Sequence, residues 1–248
     1  MSNQKDVICG IHPVTHILVK RSRSVFTLFV DEGKTNPKVS RVVKLAKRQK
    51  IKVLRKTTRD LDRLSSNSNH QGVVAYVEPI NKLTLHEAIS LDKNKKKSMW
   101  LAVDEITDPQ NLGAMIRTAV SLDVKYIALS HHRTSGITPS VFKSASGALE
   151  DINIVEVSNL NWALLTLKEN GYWIYGADAK GQHIGKTNYN TPSVLVIGSE
   201  GKGIRPQTKK HCDELVSIPQ NSKVESLNAA CAASIILYDM FSKIKAQK

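Results

Sequence analysis

One arginine stands within a helical run of small and apolar residues in the segment DPQNLGAMIRTA, residues 108–119. Asn111 is the predicted N-cap, and the helix is expected over residues 112–122. A guanidinium against such a surface needs an anionic or hydrogen-bonding partner. Arg117 is therefore a candidate for binding an anion, which is either part of a ligand or an internal carboxylate.

Two later segments also combine a predicted strand with a polar loop and a following helix or turn. They are VLVIGSEGKGIRP, residues 194–206, and VSIPQNSKVESLNAACAAS, residues 216–234. In an open parallel sheet, ligands bind beyond the carboxyl ends of the strands. If the strands that end near Val103, Gly198 and Ile218 are parallel neighbours, their loops converge on one pocket.

The loop GSEGKG has glycines at positions 198, 201 and 203 around one carboxylate, Glu200. It does not match the P-loop, because Ile204 and Arg205 follow the last glycine in place of Lys and Ser/Thr, and its spacing is not G-x-G-x-x-G. A nucleotide hydrolase is therefore disfavoured. The glycines either let the backbone approach a ligand closely or form a tight structural turn.

The last helix is predicted over residues 226–244, with Ser226 as its N-cap. Ser226 and Asn228 are either capping groups alone or side chains that face the pocket from the helix N-terminus, where the dipole favours anionic oxygen. His131 and His132 lie in a loop between the motifs, where surface or turn roles are more common than catalysis. No residue spacing indicates a metal site.

Strand-like and helix-like runs alternate along the chain, which predicts an α/β protein. Residues 1–79 form a small α/β unit, residues 80–98 a charged linker, and residues 99–248 a larger unit. The small unit has predicted strands at 24–30, 51–54 and 72–77 and helices at 36–50 and 57–65. The larger unit has predicted strands at 99–103, 125–129, 152–157, 172–177, 193–198 and 214–218 and helices at 112–122, 139–149, 159–170 and 226–244. This alternation implies a mostly parallel sheet covered on both faces.

The 248-residue chain carries a formal net charge of +14, and the excess is concentrated at its front. Residues 1–79 hold 16 lysines and arginines against 6 acidic residues, whereas residues 99–248 are nearly neutral. A basic unit of this kind indicates binding to a polyanion such as RNA more than a solvated surface. Its aromatic residues Phe26, Phe29 and Tyr76 are predicted core residues, so recognition by RNA shape and phosphate geometry is favoured over base stacking.

No apolar run reaches the length of about 20 residues that spans a bilayer, and the first residues have no signal-peptide core. Cys9, Cys212 and Cys231 are far apart and odd in number, which indicates reduced thiols. These features predict a cytoplasmic protein without a membrane partner.

Taken together, the three segments resemble the SpoU/TrmH family of RNA ribose 2′-O-methyltransferases in their order and spacing. The matching stretches are DPQNLGAMIRTA, LVIGSEGKGIRP and SIPQNSKVESLN, with KSASGALE (143–150) between them. ICGIHPVTHIL (8–18) and NHQGVVAYV (69–77) resemble the substrate-binding domain of the branch that methylates a guanosine of bacterial large-subunit ribosomal RNA. The third stretch departs from the family pattern: Gln220 replaces Met, Ser222 replaces Gly, and Ala-Ala-Cys follows Asn228 instead of Val-Ser-Val.

This resemblance implies a small N-terminal α/β RNA-binding domain and a C-terminal SPOUT-type parallel-sheet domain with a deep trefoil knot. It implies S-adenosylmethionine as the methyl donor, ribosomal RNA as the substrate, and a homodimer formed through the C-terminal domain. The alternatives are transfer RNA as the substrate, or a non-catalytic RNA-binding or ribosome-assembly role on the same fold. The implied cofactor-binding residues are Ile197, Gly198, Glu200, Gly201, Gly203, Ile218 and Leu227.

The implied catalytic residues are Asn111, Arg117, Glu200, Ser226 and Asn228. In this family the motif arginine is proposed to take the proton from the ribose hydroxyl. Because an arginine almost never loses its own proton, we expect Arg117 instead to bind the adjacent RNA phosphate and to stabilise developing negative charge. Asn111 would orient Arg117 or the ribose, and Glu200 would hold the arginine or a loop amide. An ion pair of Arg117 with Glu105 or Asp108 is the alternative.

Overall fold

A computed structural model describes most of the chain and divides it into two compact units. The described residues are 5–33, 36–93, 96–130, 134–221 and 226–246. The first unit comprises Met1–Asn81 and Ile137–Glu150, and the second comprises Lys82–Gly136 and Asp151–Lys248. The sequence assigned the segment Ile137–Glu150 to the C-terminal domain, whereas its contacts place it in the first unit.

Strands and helices alternate along both units, as the sequence predicts. The strands are β1 (Asp6–Cys9), β2 (Val25–Asp31), β3 (Lys52–Lys56), β4 (Val73–Val77), β5 (Lys82–Leu83), β6 (Met99–Asp104), β7 (Tyr126–Ser130), β8 (Asn153–Val157), β9 (Trp173–His183), β10 (Ser193–Gly198) and β11 (Glu214–Ser217). The helices are α1 (Ile11–Lys20), α2 (Pro37–Arg48), α3 (Thr58–Leu64), α4 (Leu85–Asp92), α5 (Pro109–Ser121), α6 (Pro139–Ser144), α7 (Leu160–Glu169), α8 (Pro206–Lys209) and α9 (Ala229–Ala246), with short 3-10 turns at Ala148–Asp151 and Ile184–Lys186.

The first unit is built on a four-stranded sheet in the order β1-β4-β2-β3. β4 is antiparallel to both of its neighbours, and β2 is parallel to β3. The amphipathic helix α2 buries Val39, Val42 and Ala46 at helical spacing and leaves its cations outside. The sequence placed β2, α2, β3, α3 and β4 within two residues of their observed ends and missed β1 and α1.

The segment Ile137–Glu150 is held in the first unit by a nearly buried ion-pair network. Arg23 lies 2.6 Å from Glu150 and 2.7 Å from Asp6, and the side chains of Arg23 and Glu150 are only 8% and 2% exposed. Gly147 has φ +93, and a Cβ there would lie 2.8 Å from the His16 side chain. These contacts join residues far apart in the sequence, so no local pattern predicts them.

The second unit contains a seven-stranded sheet in the order β11-β9-β10-β6-β7-β8-β5, and all of its pairings are parallel. Every residue of β6, β7 and β10 is buried, as expected for strands covered on both faces. The expectation that the three motif strands are direct neighbours is wrong in one respect, because β9 lies between β10 and β11. All carboxyl ends still share one edge of the sheet.

The predicted linker, residues 80–98, contains secondary structure that belongs to the second unit. β5 pairs with β8, and α4 follows with a capping box formed by Thr84 and Glu87. A hydroxyl residue followed by Glu three positions later is a helix-start pattern that the charged composition obscured. At the end of α4, the buried Asp92 accepts hydrogen bonds of 2.7 Å from the indole N–H of Trp100 and the hydroxyl of Tyr172.

Two helices begin at residues other than those predicted. In both cases the side chain that was predicted to cap the helix is not used as the cap. Asp108, not Asn111, caps α5 by accepting from the backbone N–H of Gln110 and of Asn111 itself. Pro109 at the first helical position favours this earlier start. Asn228, not Ser226, caps α9 by accepting from the N–H groups of Ala230 and Cys231.

None of the helices in the described ranges is long and apolar enough to cross a membrane. The three cysteines are free thiols, as predicted, and only Cys231 is exposed. The deep trefoil knot stays a prediction.

Candidate active site at the carboxyl edge of the second sheet

A cavity of about 330 Å³ opens at the carboxyl ends of β9, β10 and β11. Its volume lies within the range of small-molecule sites. Apolar side chains form much of the wall, and the polar groups come from loops and strand ends. The residues predicted to bind a cofactor all line it: Ile197, Gly198, Glu200, Gly201, Gly203, Ile218 and Leu227. Ser226 lines it as well.

The glycine loop after β10 folds back tightly on itself. Ser199 and Gly203 form an isolated antiparallel bridge, with N–H···O distances of 3.1 and 2.8 Å. Gly201 and Gly203 have φ of +79 and +64, which glycine adopts at little cost. A Cβ on Gly198 would lie 2.0 Å from the carbonyl carbon of Gly203. Position 198 therefore requires glycine for the loop to close.

The far end of this loop is tied to β6 by an ion pair that the sequence did not single out. The buried Asp104 accepts from the backbone N–H of Arg205 at 3.0 Å and from its guanidinium Nε at 2.8 Å. This hydrogen bonding to Asp104 raises the pKa of Arg205. Glu105 lies 3.6 Å from the same guanidinium. Arg205 stands within the second quoted segment and Asp104 four residues before the first, and their opposite charges were the only sequence signal for this pair.

Three of the predicted catalytic residues meet in one hydrogen-bond cluster. The Asn228 side-chain amide donates to Asn111 Oδ1 and to Glu200 Oε1, both at 2.9 Å. Asn111 Nδ2 donates to Glu200 Oε2 at 3.3 Å. The cluster joins α5, the glycine loop and the start of α9. Because Asn228 Oδ1 is used by the helix cap, its amide nitrogen has a fixed direction.

Arg117 lies on α5 outside this cluster, with its side chain exposed. It is six residues beyond Asn111, which corresponds to about 9 Å along the helix axis. Within the described ranges no carboxylate forms an ion pair with Arg117; Glu105 pairs with Arg205, and Asp108 caps the helix. The alternative of an internal ion pair is therefore not seen among the described residues, and Glu200 contacts the two asparagines instead of the arginine.

The strand β9 contributes a polar wall that the sequence did not predict. β9 extends to His183, and Asp178 and Lys180 line the cavity. Burial by itself would raise the pKa of Asp178, but hydrogen bonds and charge from Lys209 and from Lys180 hold it below its usual value. The run ADAKGQH has no large apolar residue and none of its residues is buried, so its strand conformation comes from pairing with β11.

Ser222, His131 and His132 lie outside the described residues. Gln220 lines the cavity. Among the described residues, no group of three or more histidines, cysteines or carboxylates is placed to hold a metal ion.

Comparison with known families gives two matches that together span most of the chain. The SpoU rRNA methylase family matches residues 98–238. A family described as RNA 2′-O ribose methyltransferase substrate binding matches residues 7–83.

Individual relatives agree with these matches. An uncharacterized tRNA/rRNA methyltransferase of Synechocystis sp. is 45% identical over 73% of this chain, a match that spans 48% of the relative. The 23S rRNA (guanosine-2′-O-)-methyltransferase RlmB of Neisseria meningitidis is 34% identical, over 96% of this chain and 94% of that protein. The crystal structure of the SpoU methyltransferase AviRb from Streptomyces viridochromogenes, in complex with AdoMet, has a TM-score of 0.78 at 22% identity, over 96% of this chain and 90% of that one.

The closure of the glycine loop gives a direct test of the cavity. Gly198→Ala places a methyl group against the Gly203 backbone, so we expect the loop to move and the affinity for S-adenosylmethionine to fall about tenfold or more. Isothermal titration calorimetry measures this. Gly185→Ala is the matched control, because a Cβ there meets no atom within 4 Å. If the two variants bind S-adenosylmethionine with equal affinity, the loop is not part of the binding site.

Proposed function

The chain belongs to the SpoU rRNA methylase family, and from this premise we propose that it methylates the ribose 2′-hydroxyl of a guanosine in 23S ribosomal RNA. The single observation that supports this best is the Asn111–Glu200–Asn228 cluster beside a cavity whose backbone cradle requires glycine at position 198. The cluster supplies polar groups to orient a substrate, and the cavity has the size of a small-molecule cofactor site.

The residues around the cavity suit S-adenosylmethionine as the methyl donor. Ile197, Ile218 and Leu227 offer an apolar wall, while the glycine loop leaves backbone groups open to a ligand. The carboxylates of Glu200 and Asp178 and the lysines Lys180 and Lys202 border the cavity and suit a ligand that carries charges of both signs. S-adenosylmethionine bound there would supply a methyl group on a cationic sulfur for transfer to the ribose 2′-oxygen.

The protein must align the ribose hydroxyl and stabilise the charge that develops on its oxygen. We assign the alignment to the Asn111–Glu200–Asn228 cluster, which is fixed by the cap of α9. Arg117 binds the phosphate next to the target ribose. Its exposed guanidinium, without a described carboxylate partner, is available for a bidentate phosphate contact. We assign Ser226, which lines the cavity wall, to the binding of the same substrate.

The first unit supplies RNA affinity through a basic helix face. Arg41, Lys44 and Arg48 project from one side of α2, and none of them pairs with a described carboxylate. A row of like charges destabilises an isolated helix, so it suits a surface that binds a polyanion. RNA phosphates neutralise such a row and release counterions, which makes the binding depend on salt.

A homodimer forms through the exposed face of α9. The exposed residues Cys231, Ile235, Tyr238 and Ser242 recur at helical spacing along this face, whereas another face of the helix is buried. Ile235 and Tyr238 are 40% and 64% exposed. α9 packs on α5, where Thr118 and Ser234 hydroxyls lie 3.0 Å apart. An apolar stripe beside the helix that carries Arg117 favours a second copy of the chain as its partner.

The reaction is tested with purified chain, labelled S-adenosylmethionine and unmodified 23S rRNA, followed by digestion and mass spectrometry. We expect 2′-O-methylguanosine. Arg117→Ala should lower turnover about 100-fold or more and leave cofactor affinity unchanged, because the side chain acts on the RNA phosphate and the developing charge. Arg117→Lys should retain part of the rate.

Three outcomes would contradict this assignment. Methylation of transfer RNA in place of 23S rRNA would change the substrate, and absence of any product would favour a binding factor. Loss of cofactor affinity or of folding in Arg117→Ala would show an internal role for the arginine.

The basic face of α2 predicts a change in salt dependence. Arg41→Ala with Lys44→Ala should weaken RNA binding and reduce the slope of log affinity against log salt by about two. Lys186→Ala with Lys210→Ala removes the same charge from the second unit and serves as control. Fluorescence anisotropy over a salt series measures both. If the two double variants show equal salt slopes, the RNA affinity depends on net charge alone and not on the basic face of α2.

The dimer prediction concerns oligomeric state. Ile235→Glu with Tyr238→Glu should convert a dimer to a monomer, because charged side chains replace the centre of the apolar stripe. Trp162→Glu with Leu165→Glu changes apolar residues of similar exposure on α7 and should leave the dimer intact. Light scattering after size exclusion decides the question. A monomeric wild-type chain, or dissociation by the α7 pair, would refute the assigned interface.

A further inference from the structure

Phe26 is an exposed aromatic residue in the basic first unit, where the sequence predicted a core residue. Its exposed fraction is 52%, compared with 7% for Phe29 three residues later in the same strand. Phe29 makes an edge-on contact with Tyr76, at a ring distance of 4.8 Å. The structure therefore confirms the core role of Phe29 and overturns that of Phe26.

The exposure of Phe26 comes from a defect in strand pairing. Val25 lies opposite Val77 and Thr27 lies opposite Tyr76, so two steps along β2 correspond to one step along β4. Phe26 is the inserted residue. A bulge of this kind redirects a side chain that regular alternation would place elsewhere, and bulges are frequent beside functional sites. The aromatic ring is thus presented to solvent by the backbone itself.

Two lysines lie in the part of the sheet next to Phe26. Thr27, the next residue, lies opposite the exposed Lys52 in β3 and opposite Tyr76 in β4. Lys5 Nζ lies 3.7 Å from the centre of the Tyr76 ring. An exposed apolar ring in a part of the sheet that also holds lysines suits a nucleotide, which has a flat base and a charged phosphate. It suits a protein partner less well, because lysines are depleted in protein interfaces.

We infer that Phe26 is a stacking site for an unpaired RNA base, with Lys52 and Lys5 meeting the flanking phosphates. This rests on the proposed function and narrows its substrate class to RNA with unpaired nucleotides. A base inside a continuous duplex has both faces covered by its neighbours, whereas a base in a loop can stack on an aromatic side chain. Phosphate contacts alone bind both kinds of RNA.

The test compares a stem–loop RNA with a blunt duplex RNA of equal length, using the full chain and fluorescence anisotropy. Phe26→Ala should weaken stem–loop binding about tenfold and leave duplex binding almost unchanged, since one stacking contact is lost. The salt slope for the stem–loop should stay the same, because no phosphate contact is removed. Phe26→Trp should retain stem–loop affinity.

Two control variants separate stacking from charge and from general surface change. Lys52→Ala should weaken both RNAs and lower the salt slope by about one. Val19→Ala changes another exposed apolar residue of the first unit and should affect neither RNA. Wild-type stem–loop affinity in Phe26→Ala, or an equal loss on both RNAs, would overturn the inference.

Methylation assays distinguish failure of this inference from failure of the proposed function. If wild-type chain methylates 23S rRNA and Phe26→Ala has the same KM for that RNA, the stacking site is refuted and the enzymatic function stands. If wild-type chain yields no methylated nucleoside but prefers the stem–loop through Phe26, the enzymatic function fails and the stacking site stands. The expected result is a raised KM with unchanged kcat.

Discussion

The candidate active site depends on one close backbone approach, between Gly198 at the end of β10 and Gly203 in the loop that follows. Any side chain at position 198 would occupy the space of the Gly203 carbonyl group. The contact lets Ser199 and Gly203 bridge, which turns the intervening residues back toward the sheet edge. Glu200 is carried at the tip of this turn, so its position is set by backbone geometry and not by side-chain packing.

The surrounding interactions hold that turn from three directions. Asp104 at the end of β6 binds both the backbone and the guanidinium of Arg205 beyond the loop. Asn111 on α5 and Asn228 before α9 bind the two oxygens of Glu200. A carboxylate with charged or amide donors on each oxygen has little rotational freedom. The polar cluster can therefore act as a fixed reference for a substrate, which is the property that alignment of a hydroxyl requires.

The sequence predicts the alternation of elements, the parallel sheet and the cavity lining well. These features depend on local periodicity and on short motifs whose residues are contiguous in the chain. Prediction from sequence fails where two nearby residues can both cap the same helix. It also fails where contacts between residues far apart in the chain determine the structure. Asp108 and Asn111 can both cap a helix, and Pro109 decides between them. The polar end of β9 becomes a strand only through β11, and Ile137–Glu150 joins the first unit through Arg23. No rule of composition or residue spacing identifies those partners.

The position of Arg117 bears on how the ribose proton leaves. An arginine almost never loses its proton in proteins, and Arg117 is exposed on its helix. The same exposure is favourable for phosphate binding, because a protonated guanidinium keeps all its donors for the ligand. A phosphate held there would lie beside the hydroxyl that must lose its proton, and its oxygens can accept that proton more readily than the arginine can. We therefore propose that Arg117 holds the substrate and is not the base, which divides these roles between the protein and its RNA.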